Sequence, residues 1–359
     1  MPLKTAAGLF LHILISFRDK LIEMKTTSTP FTATAAAHPN IAFIKYWGNR
    51  DQSLRLPASG SLSMNLDGLF TRTTVTFSPD RLEDTFLLNG RPQSGPSLER
   101  VSAHLEILRS LAGKHWFAYV ESENNFPTGA GIASSASAFA ALTLASACAL
   151  ELDLSEMDLS RLARRGSGSA SRSIPGGFVE WFAGVDDASS YAVSIAPAGH
   201  WDLVDCIAIV KPGHKPVGSS EGHRLAGTSP LQQARILTAA QRLDLCRDAI
   251  LHKDIEALAI ISELDCHLMH EVMMTSSPSL VYWQPESVMI MQAVVGWRLA
   301  GVPVFYTLDA GPNVHVLCPS EYSHRIAANL RELPGVLQVL SAHPGRPAQL
   351  VGASRSERL

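Results

Sequence analysis

The chain has 359 residues, 46% hydrophobic and 18% charged, with a formal net charge of −3. This is the composition of a folded protein with a large core, and it excludes a disordered chain. The slight net acidity excludes a broad basic footprint for nucleic acid, so an anionic ligand must be held by a few local cations. Residues 6–17 (AAGLFLHILISF) form an apolar run behind Lys4. That run lacks a small-residue cleavage site and falls short of the roughly 20 residues that cross a bilayer. Residues 1–23 therefore read as an appended or misassigned extension of a cytoplasmic protein with no membrane partner, Met24-Lys25 being an alternative start.

Residues 31–37, 71–77 and 85–88 are rich in β-formers and bounded by Gly, Pro and Asp, which predicts strands. Asn89-Gly90 predicts a turn after the third. Val101, Leu105, Leu108 and Leu111 recur at helical spacing, predicting a helix over 97–111. A strand over 116–121 and helices over 132–150 and 155–165 follow. Strand patterns return over 178–183, 191–196 and 206–210. From about Ser229 the pattern is helical, over 232–251, 255–274 and 286–299. Residues 304–309 and 314–318 then flank Ala310-Gly311-Pro312-Asn313 as a hairpin. The order predicts an α/β (α+β) enzyme of two lobes, the second beginning near residue 190.

Four segments concentrate chemistry. Residues 123–136, ENNFPTGAGIASSA, put Gly129 and Gly131 just before an Ala-rich helix. Backbone N–H groups there can approach a phosphate, and the helix N-terminus aims at the same point. Thr128, Ser134 and Ser135 add hydroxyls that can donate to phosphate or reach magnesium. The pattern lacks the lysine of GxxxxGK[ST], so it is no ordinary P-loop; tight packing of a small-residue helix is the alternative. Residues 37–51, AHPNIAFIKYWGNRD, place Lys45, Tyr46, Trp47, Arg50 and Asp51 behind an apolar strand. A lysine there serves an anion or a developing oxyanion, or simply meets solvent. Residues 164–172, RRGSGSASR, alternate glycine and serine between arginines, which suits an anion held by hydroxyls and a guanidinium. Residues 306–313, YTLDAGPN, end an apolar strand in one carboxylate, Asp309, which can orient or deprotonate a hydroxyl or cap the hairpin.

Other residues carry less. The five cysteines (Cys148, Cys206, Cys246, Cys266, Cys318) are scattered and lack CxxC spacing, so they read as thiols of a reducing compartment. Cys266, His267 and His270 share a helix without a fourth ligand, which favours a helix facing the cleft over a metal site, with His270 within reach of substrate. Trp181, Trp201, Trp283 and Trp297 read as core or lobe-interface anchors.

Taken in order, NIAFIKYWG, NNFPTGAGIASSA, RRGSGSASRS with GGFVEW, and TLDAGPN resemble the mevalonate diphosphate decarboxylases of the GHMP kinase superfamily. The resemblance runs from about Ala35 to Asn313 and on toward the C-terminus. It implies a GHMP kinase-type fold, with a ribosomal-protein-S5-like ATP-binding lobe over 24–190, a ferredoxin-like lobe over 191–359, and a homodimer. It implies an ATP- and Mg2+-dependent decarboxylation of a 5-phosphorylated mevalonate. Asp309 then matches the aspartate facing the 3-hydroxyl, and Lys45 the lysine that keeps it ionised. Arg172 matches the arginine that grips the C1 carboxylate, and Ser167 and Ser169 the serines lining substrate phosphate and carboxylate. Tyr46 matches a contact to the phosphate end, and Ser219 a serine of a loop approaching the triphosphate. Thr128, Gly129, Ala130, Gly131, Ala133, Ser134 and Ser135 match the ATP-phosphate loop, with Ser135 toward magnesium. Retention of Lys45, Arg172 and Asp309 argues against a kinase that releases no CO2, and the intact carboxylate and cradle against a non-catalytic binder.

Two departures stand out. The family pattern KYWGKRD has Asn49 here in place of its second lysine, which helps hold the diphosphate. A terminal phosphate without a paired cation stays better solvated by water, so mevalonate 5-phosphate is the expected substrate. Arg50 or another cation supplying the charge, with a diphosphate substrate, is the alternative. Residues 57–63 read PASGSLS where relatives often carry Asn-Ser-Ser after the proline, which puts side-chain contacts to nucleotide there in doubt.

Overall fold

The computed structural model describes residues 31–126, 134–211 and 218–355. Its strands are β1 (Phe31–Ala37), β2 (Asn40–Ile44), β3 (Asn49–Asp51), β4 (Leu56–Pro57), β5 (Ser61–Asp67), β6 (Thr71–Ser78), β7 (Thr85–Leu88), β8 (Arg91–Gln93), β9 (Phe117–Asn124), β10 (Phe178–Trp181), β11 (Ala192–Ala196), β12 (Leu203–Ile209), β13 (Phe305–Thr307), β14 (Val314–Pro319), β15 (Gln338–Pro344) and β16 (Gln349–Arg355). The α-helices are α1 (Pro96–Ala112), α2 (Ser134–Ala149), α3 (Glu156–Gly166), α4 (Ser219–Leu225), α5 (Gln232–Leu237), α6 (Ala239–His252), α7 (Ile255–Met274), α8 (Pro285–Leu299) and α9 (Ser320–Arg331).

One sheet has the order β16-β1-β6-β9-β7-β8; the other runs β11-β10-β5-β15-β12-β14-β13, with β2 also paired to β5. The portions 24–190 and 191–359 therefore contribute strands to both sheets. In β1 and β6 the pleat alternates, burying Ala33, Ala35, Val75 and Phe77. The helix packed on β1 and β6 is α2, whose buried Ala136, Ala140, Ala141 and Ala145 let its backbone come close. Helices α6 and α7 cover β2, and β12 and β14 are packed by α9.

Local chemistry sets several boundaries. Pro96 occupies the first turn of α1, and Gly113 closes it at φ 62, where a left-handed residue ends a helix without strain. Ser155 caps α3 and Asp254 caps α7. The sequence pattern predicts one helix over 232–251; the structure breaks it at Thr238 into α5 and α6. The pattern also gave no warning of α9, or of β15 and β16.

Candidate active site

All five residues of β2 are buried, and the next residue, Lys45, is carried into the interior at 1% exposure. Its backbone is fixed from outside the strand: the Lys45 N–H donates to Asp265 Oδ2 at 2.6 Å, and Arg235 donates to its carbonyl at 2.8 Å. Its Nζ meets Asp309 Oδ1 at 2.8 Å. Asp309 lies two residues past β13, in the turn to β14. Burial pushes its carboxyl up, but Lys45, His315 and Arg172 outweigh burial and hold it below the ordinary carboxylate range.

Arg172, 3% exposed, belongs to a 3-10 turn, Gly168–Ser173. It donates to Ser63 Oγ at 3.0 Å, to Asn40 Oδ1 at 3.1 Å and to Ser61 Oγ, with Trp181 beside its guanidinium. Burial pushes its pKa down to about 10, with Asp309 and Tyr46 acting against that, so it remains a cation at neutral pH. Ser61 and Ser63 thus serve Arg172. The i, i+2 spacing in PASGSLS was the signal that both share one face of a strand.

Tyr46 packs edge-on to Trp181 and stacks on His223 of α4, ring centroids 4.0 Å apart. A Cβ on Gly168 would stand 2.4 Å from the Tyr46 ring, so glycine is required there. Burial raises the Tyr46 phenol to about 12, and the phenol donates to Asn49 Oδ1. Asn49 in turn donates to Gln52 at 2.9 Å.

These groups meet in a cavity of about 340 Å³ lined by Lys45, Tyr46, Ser134, Ser135, Ser167, Ser169, Arg172, Ser219 and Asp309. Asn49 is beneath Tyr46, outside the lining. Ser135 Oγ lies 3.1 Å from Ser167 Oγ, which joins the start of α2 to the segment carrying Arg172. Thr128, Gly129, Ala130, Gly131 and Ala133 lie outside the described residues. The sequence reading missed Arg55, Arg100, Ser220 and His223, which also line the cavity. Arg55 and Arg100 stand outside the segments read for chemistry, and no local spacing marked them. His270 is buried against Trp283 rather than lining the cavity, and burial lowers it to about 3. Cys266 exchanges hydrogen bonds with the Leu308 backbone. A larger hollow of about 510 Å³ is lined by Met274, Trp283, Met291 and Val295 with His267 and Glu271; with no Lys or Arg among the described lining residues, it does not suit a polyanion.

Residues 37–192 match the diphosphomevalonate decarboxylase-like N-terminal domain, and residues 206–346 the mevalonate 5-diphosphate decarboxylase C-terminal domain. The diphosphomevalonate decarboxylase of Ganoderma lucidum is 37% identical over 321 residues, covering 82% of this chain and 80% of that protein. The phosphomevalonate decarboxylase of Haloferax volcanii is 35% identical over 298 residues, covering 82% and 90%. A solved structure of MDDEF in complex with MVAPP, AMPPCP and magnesium superposes with a TM-score of 0.85 at 40% identity, covering 89% of this chain and 99% of that one. The mixed α/β architecture is thus the GHMP kinase-type fold, and the chain is an enzyme. It belongs to the mevalonate diphosphate decarboxylase family and is a carboxy-lyase.

Proposed function

We propose that this enzyme uses ATP to decarboxylate a 5-phosphorylated mevalonate, with mevalonate 5-phosphate preferred, giving isopentenyl phosphate, ADP, phosphate and CO2. The observation that carries this reading is one cavity holding an ionised Asp309 paired to Lys45 beside a fixed Arg172. Asp309 accepts the proton of the 3-hydroxyl or orients it as its oxygen attacks the γ-phosphorus of ATP. The ester turns a poor leaving group into a good one. The C1–C2 bond then breaks, its electron pair forms the C2=C3 double bond, and phosphate leaves from C3 as CO2 departs. Lys45 stabilises charge that spreads during transfer, and Arg172 holds the C1 carboxylate.

The donor set fits magnesium only as a partner of nucleotide. Among the described residues no group of three His, Cys, Asp or Glu side chains could cage a metal, whereas Ser134 and Ser135 line the cavity. Ser135 would hold the ion together with phosphate oxygens, and the ion would offset polyphosphate charge.

Preference for the monophosphate is supported by Asn49, an uncharged amide engaged by Tyr46 and Gln52. ADP and CO2 counted together test the reaction: equal release supports a decarboxylase, and ADP alone indicates a kinase. Comparison of kcat/KM for the 5-phosphate and 5-diphosphate tests the substrate, and a clear preference for diphosphate overturns that part.

A further inference from the structure

The cavity holds more positive charge than Lys45 and Arg172 alone provide. Arg55 and Arg100 also line it, and among the described residues the only carboxylate in the lining is that of Asp309, already paired with Lys45. Arg55 lies between β3 and β4 at φ 50, an unusual conformation for a residue with a side chain, and its Nε donates to the Arg165 carbonyl at 3.0 Å. Arg100, on α1, donates to the next carbonyl, Gly166, at 3.3 and 2.9 Å, and lies over the Phe139 ring. Two guanidiniums from separate elements are thus anchored side by side on the last carbonyls of α3. Among the described residues neither has a carboxylate within ion-pair distance. Arg165, whose buried Nε has no partner among them, adds a third cation nearby.

Capping of α3 explains one contact from each arginine. It does not explain why two like charges converge on a cavity with no carboxylate paired to either among the described residues, an arrangement that an entering anion relieves. Their mutual repulsion is evident in Arg100, whose pKa is lowered to about 10 by burial and then by Arg55. Arg55 also lies close enough to act on the Tyr46 phenol, the group expected at the phosphate end of the substrate.

Building on the decarboxylase reading above, we infer that Arg55 and Arg100 form the clamp, from β3–β4 and α1, for the single phosphate ester of the substrate, while the uncharged Asn49 offers no cation to a second phosphate. Arg55 has both terminal nitrogens outside its bond to Arg165, which suits bidentate pairing with phosphate oxygens. Substrate discrimination then depends on this pair as well as on position 49.

The test uses the full chain with Arg55→Gln, Arg55→Lys and Arg100→Gln, and Arg91→Gln on the exposed β8 as a charge control. KM is measured separately for mevalonate 5-phosphate and for ATP, and calorimetry follows binding of inorganic phosphate without turnover. Arg55→Gln and Arg100→Gln are expected to raise KM for the mevalonate phosphate about 10- to 100-fold and weaken phosphate binding, with KM for ATP changed less than about twofold. Arg55→Lys should recover part of the loss, and Arg91→Gln should change neither constant. A rise confined to KM for ATP would reassign the pair to nucleotide; unchanged constants and phosphate binding would reduce it to a helix cap. If Arg55→Gln fails to fold by circular dichroism, Arg100→Gln with a wild-type substrate KM overturns the clamp. Failure of the decarboxylase reading looks different: wild-type enzyme would release no CO2 from either mevalonate phosphate, while phosphate binding would still report on the arginines.

Discussion

Asp309 is under opposed influences, and their balance makes it usable as a base. Burial alone would raise its pKa; Lys45, at 2.8 Å, is the largest of the charges that bring it below the ordinary value of about 3.9. A depressed carboxylate stabilises the fold above its unfolded pKa, and that contribution is lost as pH falls through the lower folded pKa. Lys45→Met removes the main counter-charge and leaves the burial, so the Asp309 pKa should rise. The acid limb of the kcat/KM profile should then move to higher pH, and an unmoved limb would detach Lys45 from Asp309 ionisation. Asp309→Asn should lower kcat about 10²- to 10⁴-fold with substrate KM little changed; near-normal turnover would remove it from the reaction. Both residues were legible in the sequence because each ends an apolar strand in an isolated charge. Asn49→Lys belongs to the same scale: it should raise kcat/KM for the diphosphate, and no change would leave discrimination to Arg55 and Arg100.

At the scale of elements, the cavity depends on how closely the 3-10 turn Gly168–Ser173 approaches the end of β2. Gly168 allows that approach, since an added Cβ would stand 2.4 and 2.6 Å from Tyr46 ring atoms and 2.6 Å from its hydroxyl oxygen. Gly168→Ala must displace the Tyr46 ring, which is stacked on His223, costing about 1–3 kcal/mol of stability and raising substrate KM more than it lowers kcat. A thermal melt with initial-rate kinetics checks this; an unshifted melt would mean the turn yields without disturbing Tyr46. The alternating Gly and Ser of RRGSGSASR suited a turn that could hold an anion, but a glycine needed for packing against a tyrosine far away in sequence could not be told from one needed for flexibility. The break between α5 and α6 was hidden for a related reason. No glycine or proline marks Thr238; Arg242 instead reaches back to the Arg235 carbonyl at 2.8 Å and to Asp265 Oδ1 at 2.7 Å, so a tertiary demand ends the helix.

Across the whole molecule, the same Asp265 ties distant parts of the chain to the chemistry. It is fully buried on α7, accepts the Lys45 N–H, and pairs with both Arg235 and Arg242, while Arg235 also donates to the Lys45 carbonyl. Three helices, α5, α6 and α7, thus grip the residue that follows β2, and through it the Lys45 that ionises Asp309. In the sequence Asp265 is one polar residue within a long apolar helix, and only the fold shows what it holds. Asp265→Ala leaves two buried guanidiniums without their carboxylate and the Lys45 N–H without its acceptor. The expected loss is about 3–5 kcal/mol, the range for a broken buried ion pair. Asp265→Asn keeps the acceptor but not the charge, so it should melt between Ala and wild type. Because Asp265→Ala removes the acceptor that positions Lys45 while Arg55, Arg100 and Arg172 stay on other elements, Asp265→Ala should lower kcat and move the acid limb of the pH profile upward, with substrate KM nearly unchanged and Asp265→Asn closer to wild type in both. A melt shift without any change in the pH profile would mean that the network only supports the fold. A parallel change in both would show that the core sets the ionisation of the site.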